Sequence, residues 1–138
     1  MNFKIITIDG PAGSGKARIA QYLARKLKYY HLDSGILYRR LAFLLKSKKI
    51  NIKKTKEIQK FIINIKTLSP RNDINLRTEA ISKNASNIAK YRFVRNFINT
   101  CQKSIITKKI NSKGCIIDGR DTGSVVFKNA QIKLYIEV

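Results

Sequence analysis

The residues best equipped for chemistry lie between 10 and 18, in "GPAGSGKAR". Gly10 to Lys16 spell G-x-x-x-x-G-K, with a β-branched apolar run before the motif and an amphipathic stretch after it. Glycine reaches backbone torsions that other residues avoid, so successive amide N–H groups along such a loop converge on one point. A helix start directly behind the loop adds partial positive charge, and Lys16 adds a full one. These groups suit phosphate oxygens, and the triphosphate of ATP is the natural ligand. A glycine-rich turn that holds nothing would not need strand, lysine and helix to fall in register as they do here. Ala17 stands where many such loops carry a hydroxyl that reaches magnesium. Without that hydroxyl, Mg2+ has to be held by phosphates, water and a carboxylate from elsewhere.

The elements that must position the loop are legible on both sides of it. "FKIITI", residues 3 to 8, reads as a buried strand closed by Asp9-Gly10-Pro11. From Lys16 to Lys28, Ile19, Ala20, Leu23, Ala24 and Leu27 recur at three- and four-residue steps, which predicts a helix with one buried face. "YYHLDSG", 29 to 35, predicts a short strand and a turn, and "ILYRRLAFLLK", 36 to 46, a second helix. A helix near Thr55 to Ile65, a polar turn at "SPRNDIN" and one or two helices from Glu79 to about Ile106 follow. "CIID", 115 to 118, and "IKLYIEV", 132 to 138, read as further strands. Strands alternating with helices argue for a parallel sheet in an α/β domain.

A length of 138 residues predicts one domain, and 43% hydrophobic content can fill its core. Residues 47 to 95 read as an insertion on one side of the sheet. No stretch approaches the ~20 apolar residues of a membrane span, and nothing at the N-terminus reads as a signal peptide. The expectation is a soluble, cytoplasmic chain without a membrane partner. Cys101 and Cys115 have neither metal-ligand nor redox-motif spacing and are expected to be free thiols. The net charge of +21 would suit nucleic acid. It coincides, however, with abundant Lys, Ile, Asn, Tyr and Phe, a bias that an AT-rich genome imposes on any protein. The aromatic residues fall mostly on apolar faces rather than among the lysines, which argues against nucleic acid as the partner.

Five segments in order carry a resemblance: "IDGPAGSGK", "LDSGILYRRLA", "LRTEAISKNASNIA", "VR" at 94 to 95, and "IIDGRDTGSVVF". Together they resemble bacterial cytidylate kinase, a nucleoside monophosphate kinase, over essentially the whole chain. The last segment is the most particular of the five. The resemblance implies a P-loop nucleoside monophosphate kinase-like three-layer α/β fold with a parallel sheet. It also implies transfer of the ATP γ-phosphoryl group, with Mg2+, to CMP or dCMP. By resemblance Gly10, Pro11, Ala12, Gly13, Ser14, Gly15, Lys16, Ala17 and Arg18 hold ATP. Lys16, Arg39 and Arg120 are then the catalytic cations, the two arginines clamping the acceptor phosphate through their forked guanidinium groups. Ser34, Arg95 and Asp121 match positions that read the cytosine edge, while Asp33, Tyr38 and Ser86 line the same pocket. Asp118, at the end of its strand, is the candidate magnesium contact.

Two departures from the family pattern bear on activity. The family has Gly and then Thr or Ser after the cradle lysine, where this chain has Ala17 and Arg18. Arg18 either contacts phosphate or swings to solvent, and the sequence leaves both open. After "IKLYIEV" the family continues with an arginine-rich lid, a last strand and a helix. Arginines in such roles are worth ~10³ to 10⁵ in rate, so the expectation is an impaired enzyme. A partner chain that covers the missing part, a non-catalytic remnant and a basic RNA-binding P-loop protein are the other readings.

Overall fold

The computed structural model describes residues 3–137. Its first strand, β1 (Lys4–Asp9), is buried from Ile6 onward and forms one of two central strands of a sheet. Helix α1 (Lys16–Leu27) follows the glycine loop and turns back through Lys28, which adopts φ 59°. Strand β2 (Tyr30–Asp33) then runs without any intervening turn into α2 (Ser34–Ser47), so the turn expected at Ser34-Gly35 is already helix. Strand β3 (Gly114–Gly119) is buried along its whole length, and β4 (Ile132–Tyr135) is the last strand. The order is β2-β3-β1-β4, and every pair is parallel. An α/β architecture with a parallel sheet is therefore what the chain adopts.

The register sets β1 between β3 and β4, pairing Ile8 with Asp118 and with Leu134. Asp9, Asp33 and Asp118 all fall at the C-terminal ends of their strands, on the same rim from which the glycine loop leaves. Ile6, Ile8 and Ile116 present one face to Ala20 and Ala24 of α1, with Leu23, Tyr29 and Ile136 packed around them. Small residues on α1 let the helix sit close to the strands, which places its N-terminus over the rim.

The residues form two compact units, 1–34 with 102–138, and 35–101. The second unit contains most of α2, then α3 (Thr55–Ile63), a 3₁₀ turn (Ile74–Arg77), α4 (Glu79–Ile88) and most of α5 (Arg92–Thr107). Its buried side chains include Leu41, Leu45, Ile58, Leu76, Ile81, Ile88, Val94 and Ile98. The helical spacing from Glu79 to Ile106 is broken at Ala89–Tyr91, giving two helices. Thr78 caps α4, its hydroxyl accepting from the Ile81 amide at 3.2 Å. Among the described residues no helix is long and apolar enough to cross a membrane. Cys101 and Cys115 are both free and buried.

Candidate functional site

The first turn of α1 breaks the ordinary rules for a helix start. Gly15, at φ 88°, supplies no side-chain cap, and the turn contains no acidic residue. It carries Lys16 and Arg18 instead, two cations at the end of the helix where the dipole is already positive. The leading amides of such a helix have no intrahelical acceptor. A local arrangement unfavourable for an isolated helix becomes favourable when an anion lies over it.

The loop in front is shaped for the same purpose. Gly13 and Gly15 have φ of 76° and 88°, torsions that a residue with a Cβ resists. The Ser14 amide donates to the Pro11 carbonyl at 3.2 Å, which closes the loop on itself. The Ser14 hydroxyl is buried with no hydrogen-bond partner among the described residues, an orphaned polar atom inside the cradle. The Lys16 ammonium donates to the Pro11 carbonyl at 3.2 Å and so lies back across the loop. Arg18 is exposed, and no described residue pairs with it. These features fit a chain of phosphate oxygens.

Sequence reasoning missed the residue that holds the rim together. Asp9 is 6% exposed, and its carboxylate accepts from the Thr122 amide at 2.8 Å, the Thr122 hydroxyl at 2.6 Å and the Gly123 amide at 2.9 Å. Three donors compensate the burial of one charge and bind the end of β1 to the loop after β3. That loop winds through a π-helical turn, Thr122–Val126, opened by the Asp121 carbonyl, which accepts from the Val125 and Val126 amides. The only hint in the sequence was an acidic residue at the end of a buried strand.

Asp118 is 1% exposed and its Oδ1 meets Nε2 of His31. Its main-chain carbonyl accepts the Ser34 hydroxyl at 2.8 Å. A Cβ on Gly119 would collide with the Ser34 hydroxyl and the Thr122 side chain, so only glycine lets the strand end pass. The Gly119 carbonyl accepts the Gly10 amide at 3.1 Å, joining the start of the cradle to the segment that carries Arg120 and Asp121.

Within the first unit the structure thus gathers the cradle, Asp33, Ser34, Asp118, Arg120 and Asp121 at one rim of the sheet. Tyr38 and Arg39 lie on α2, Ser86 on α4 and Arg95 on α5, all in the second unit. The side chains of Arg39 and Arg120 form no hydrogen bond or ion pair with another described residue. Arg95 has structural employment: its Nη1 donates to the carbonyls of Ala89 at 3.0 Å and Lys90 at 2.8 Å, closing the turn between α4 and α5. The neighbouring Arg40 donates to the Arg71 carbonyl. Ser86 is exposed.

The described side chains build no magnesium cage of their own. No group of three or more His, Cys, Asp or Glu ligands occurs among them, Asp9 accepts from three donors, one oxygen of Asp118 meets His31, and Ala17 has no side-chain oxygen to offer.

The cytidylate kinase family model matches residues 6–138. A cytidylate kinase of Fusobacterium nucleatum is 37% identical over 141 residues, covering 96% of this chain and 63% of its own length. A cytidylate kinase of Alkaliphilus metalliredigens is 36% identical, with 99% and 64% covered. A bifunctional pantoate ligase/cytidylate kinase of Prochlorococcus marinus is 35% identical, with 96% of this chain and 28% of that protein covered. The crystal structure of TT1252 from Thermus thermophilus aligns at a TM-score of 0.51 and 17% identity, over 99% of this chain and 66% of that one. That likeness concerns the fold alone. The chain spans less than two thirds of the length of the curated cytidylate kinases it matches.

Proposed function

The chain belongs to the cytidylate kinase family, and on that premise we propose that it is a nucleoside monophosphate kinase that phosphorylates CMP or dCMP from ATP. An oxygen of the acceptor monophosphate attacks the γ-phosphorus, the bond to the β–γ bridging oxygen breaks, and CDP or dCDP leaves with ADP. Such a reaction is catalysed by position and charge rather than by covalent participation of the protein. In this reading residues 10–18 hold the triphosphate and Lys16 follows the transferred group. Arg39 and Arg120 bind the acceptor phosphate, and Ser34, Arg95 and Asp121, with Asp33, Tyr38 and Ser86, take the cytosine nucleoside.

The observation that carries the reading is the uncapped, doubly cationic start of α1 beside the orphaned Ser14 hydroxyl. Both are costly without an anion. Arg18 in place of a hydroxyl residue supports slower turnover than the family norm. A coupled assay of ADP release with CMP and Mg-ATP, on this chain alone and with candidate partners, tests it. We expect CMP-dependent ADP release that is lost in Lys16→Ala. Failure to bind ATP, together with salt-sensitive binding to single-stranded RNA, would replace this reading with that of a basic RNA-binding protein.

A further inference from the structure

We propose that His31 is a positioning residue, whose ring holds the Asp118 carboxylate and through it the segment from Asp118 to Asp121. The sequence assigned no chemistry to His31, and none of the roles above uses it. A carboxylate that is 1% exposed needs a donor, and the His31 Nε2 is the one it meets, from a strand position two residues before Asp33. The carboxylate is acceptor-only, so the ring donates from Nε2 whether or not its other nitrogen is protonated. His31 also lines a shallow cleft of about 420 Å³ with Gln21, Ala24, Arg25 and Tyr29, which gives the ring a path to solvent. Solvent can satisfy it there, leaving Asp118 to set the orientation of the ring.

Asp118 is the peptide from which the rim hangs. Its carbonyl carries the Ser34 hydroxyl at 2.8 Å, and the next carbonyl, of Gly119, carries the Gly10 amide at 3.1 Å. Arg120 and Asp121 follow directly. The cradle has its own closures, Ser14 to Pro11 and Ile19 to Gly15, each at 3.2 Å. Losing His31 therefore loosens the residues read as acceptor-binding more than those that meet ATP. The acceptor arm of this inference rests on the function proposed above; its structural arm does not.

Three measurements on the full chain decide it. Ring ¹⁵N shifts of the wild-type protein should show Nε2 protonated; a bare Nε2 overturns the proposal, since it has nothing to donate. His31→Leu should speed amide exchange at Arg120 and Asp121 and weaken CMP binding about tenfold, with ATP binding changed less than about threefold. His31→Gln, whose amide donates from a similar reach, should restore both. Unchanged exchange in His31→Leu, or no rescue by His31→Gln, overturns it. If His31→Leu does not fold, the tautomer and the exchange rates of His31→Gln, which should match the wild type, still decide. A wild-type chain that binds ATP but no CMP defeats the acceptor reading, while the tautomer and the exchange rates still settle the role of His31.

Discussion

Asp9 gathers three donors on one buried carboxylate at the rim. Its two oxygens accept three hydrogen bonds from Thr122 and Gly123, two of them from main-chain amides. Asp9→Asn removes the charge and turns one acceptor into a donor facing donors, so it should lower unfolding free energy by about 2 to 4 kcal/mol in urea melts. Asp9→Glu should not rescue, because the longer arm cannot reach the same amides. Cys115 makes a different demand. Burial first of all pushes its thiol from an ordinary value near 9 up to about 11, the Ser112 hydroxyl and Lys109 pulling the other way. Above pH 9 the unfolded chain releases this proton while the folded one keeps it. Stability should then fall as pH rises from about 9 to about 11, by up to roughly 1.4 kcal/mol per unit, and level off beyond. Cys115→Ser removes its share of that dependence and leaves the part due to Cys101 and Tyr30, which burial also raises, and at pH 8 a thiol reagent should label Cys115 only in denaturant.

At the level of elements, the end of β3 is tightly constrained against Ser34. Gly119 passes under the Ser34 hydroxyl where a Cβ would collide with it and with Thr122. Gly119→Ala should destabilise the fold by about 1 to 3 kcal/mol. It should also weaken nucleotide binding beyond that cost, which calorimetry on the folded fraction separates. Removing the α4 cap by Thr78→Ala costs about 1 kcal/mol with no effect on binding. The cradle was legible in the sequence because strand, loop and helix are contiguous there, and each obeys a local rule. The bonds that fix the rim were not. Asp9 meets Thr122 across 113 positions and His31 meets Asp118 across 87, separations that no spacing pattern records. The break at Ala89–Tyr91 was faint for another reason: it holds neither Gly nor Pro, and its one trace is the six-residue step from Ile88 to Val94, which falls out of helical phase. Of the last strand, read as 132 to 138, pairing with β1 covers Ile132–Tyr135 and the Ile136 amide, on the Asp9 carbonyl at 2.8 Å, reaches one residue further, while residue 138 lies outside the described residues.

Over the whole molecule, net charge and one sheet edge oppose each other. β4 borders the sheet with Ile132, Leu134 and Tyr135 at 48%, 42% and 65% exposure, and α1 adds exposed Ile19, Tyr22 and Leu27. An open apolar edge invites pairing with another chain, whereas a formal charge of +21 keeps copies apart. Because the Debye length shrinks from ~30 Å at 0.01 M to ~8 Å at 0.15 M salt, self-association should rise with ionic strength. Sedimentation across a salt series measures it, and Leu134→Lys should abolish the rise. The position of β1 at the heart of the sheet has a further consequence, for synthesis. Its partners are Gly114–Gly119 on one side and Ile132–Tyr135 on the other. While a ribosome is still making everything between, β1 has neither of these partners, although residues 35–101 can already collapse locally. The phosphate loop therefore takes its final form only after residues 114–135 have been made, and until then chaperones can capture β1.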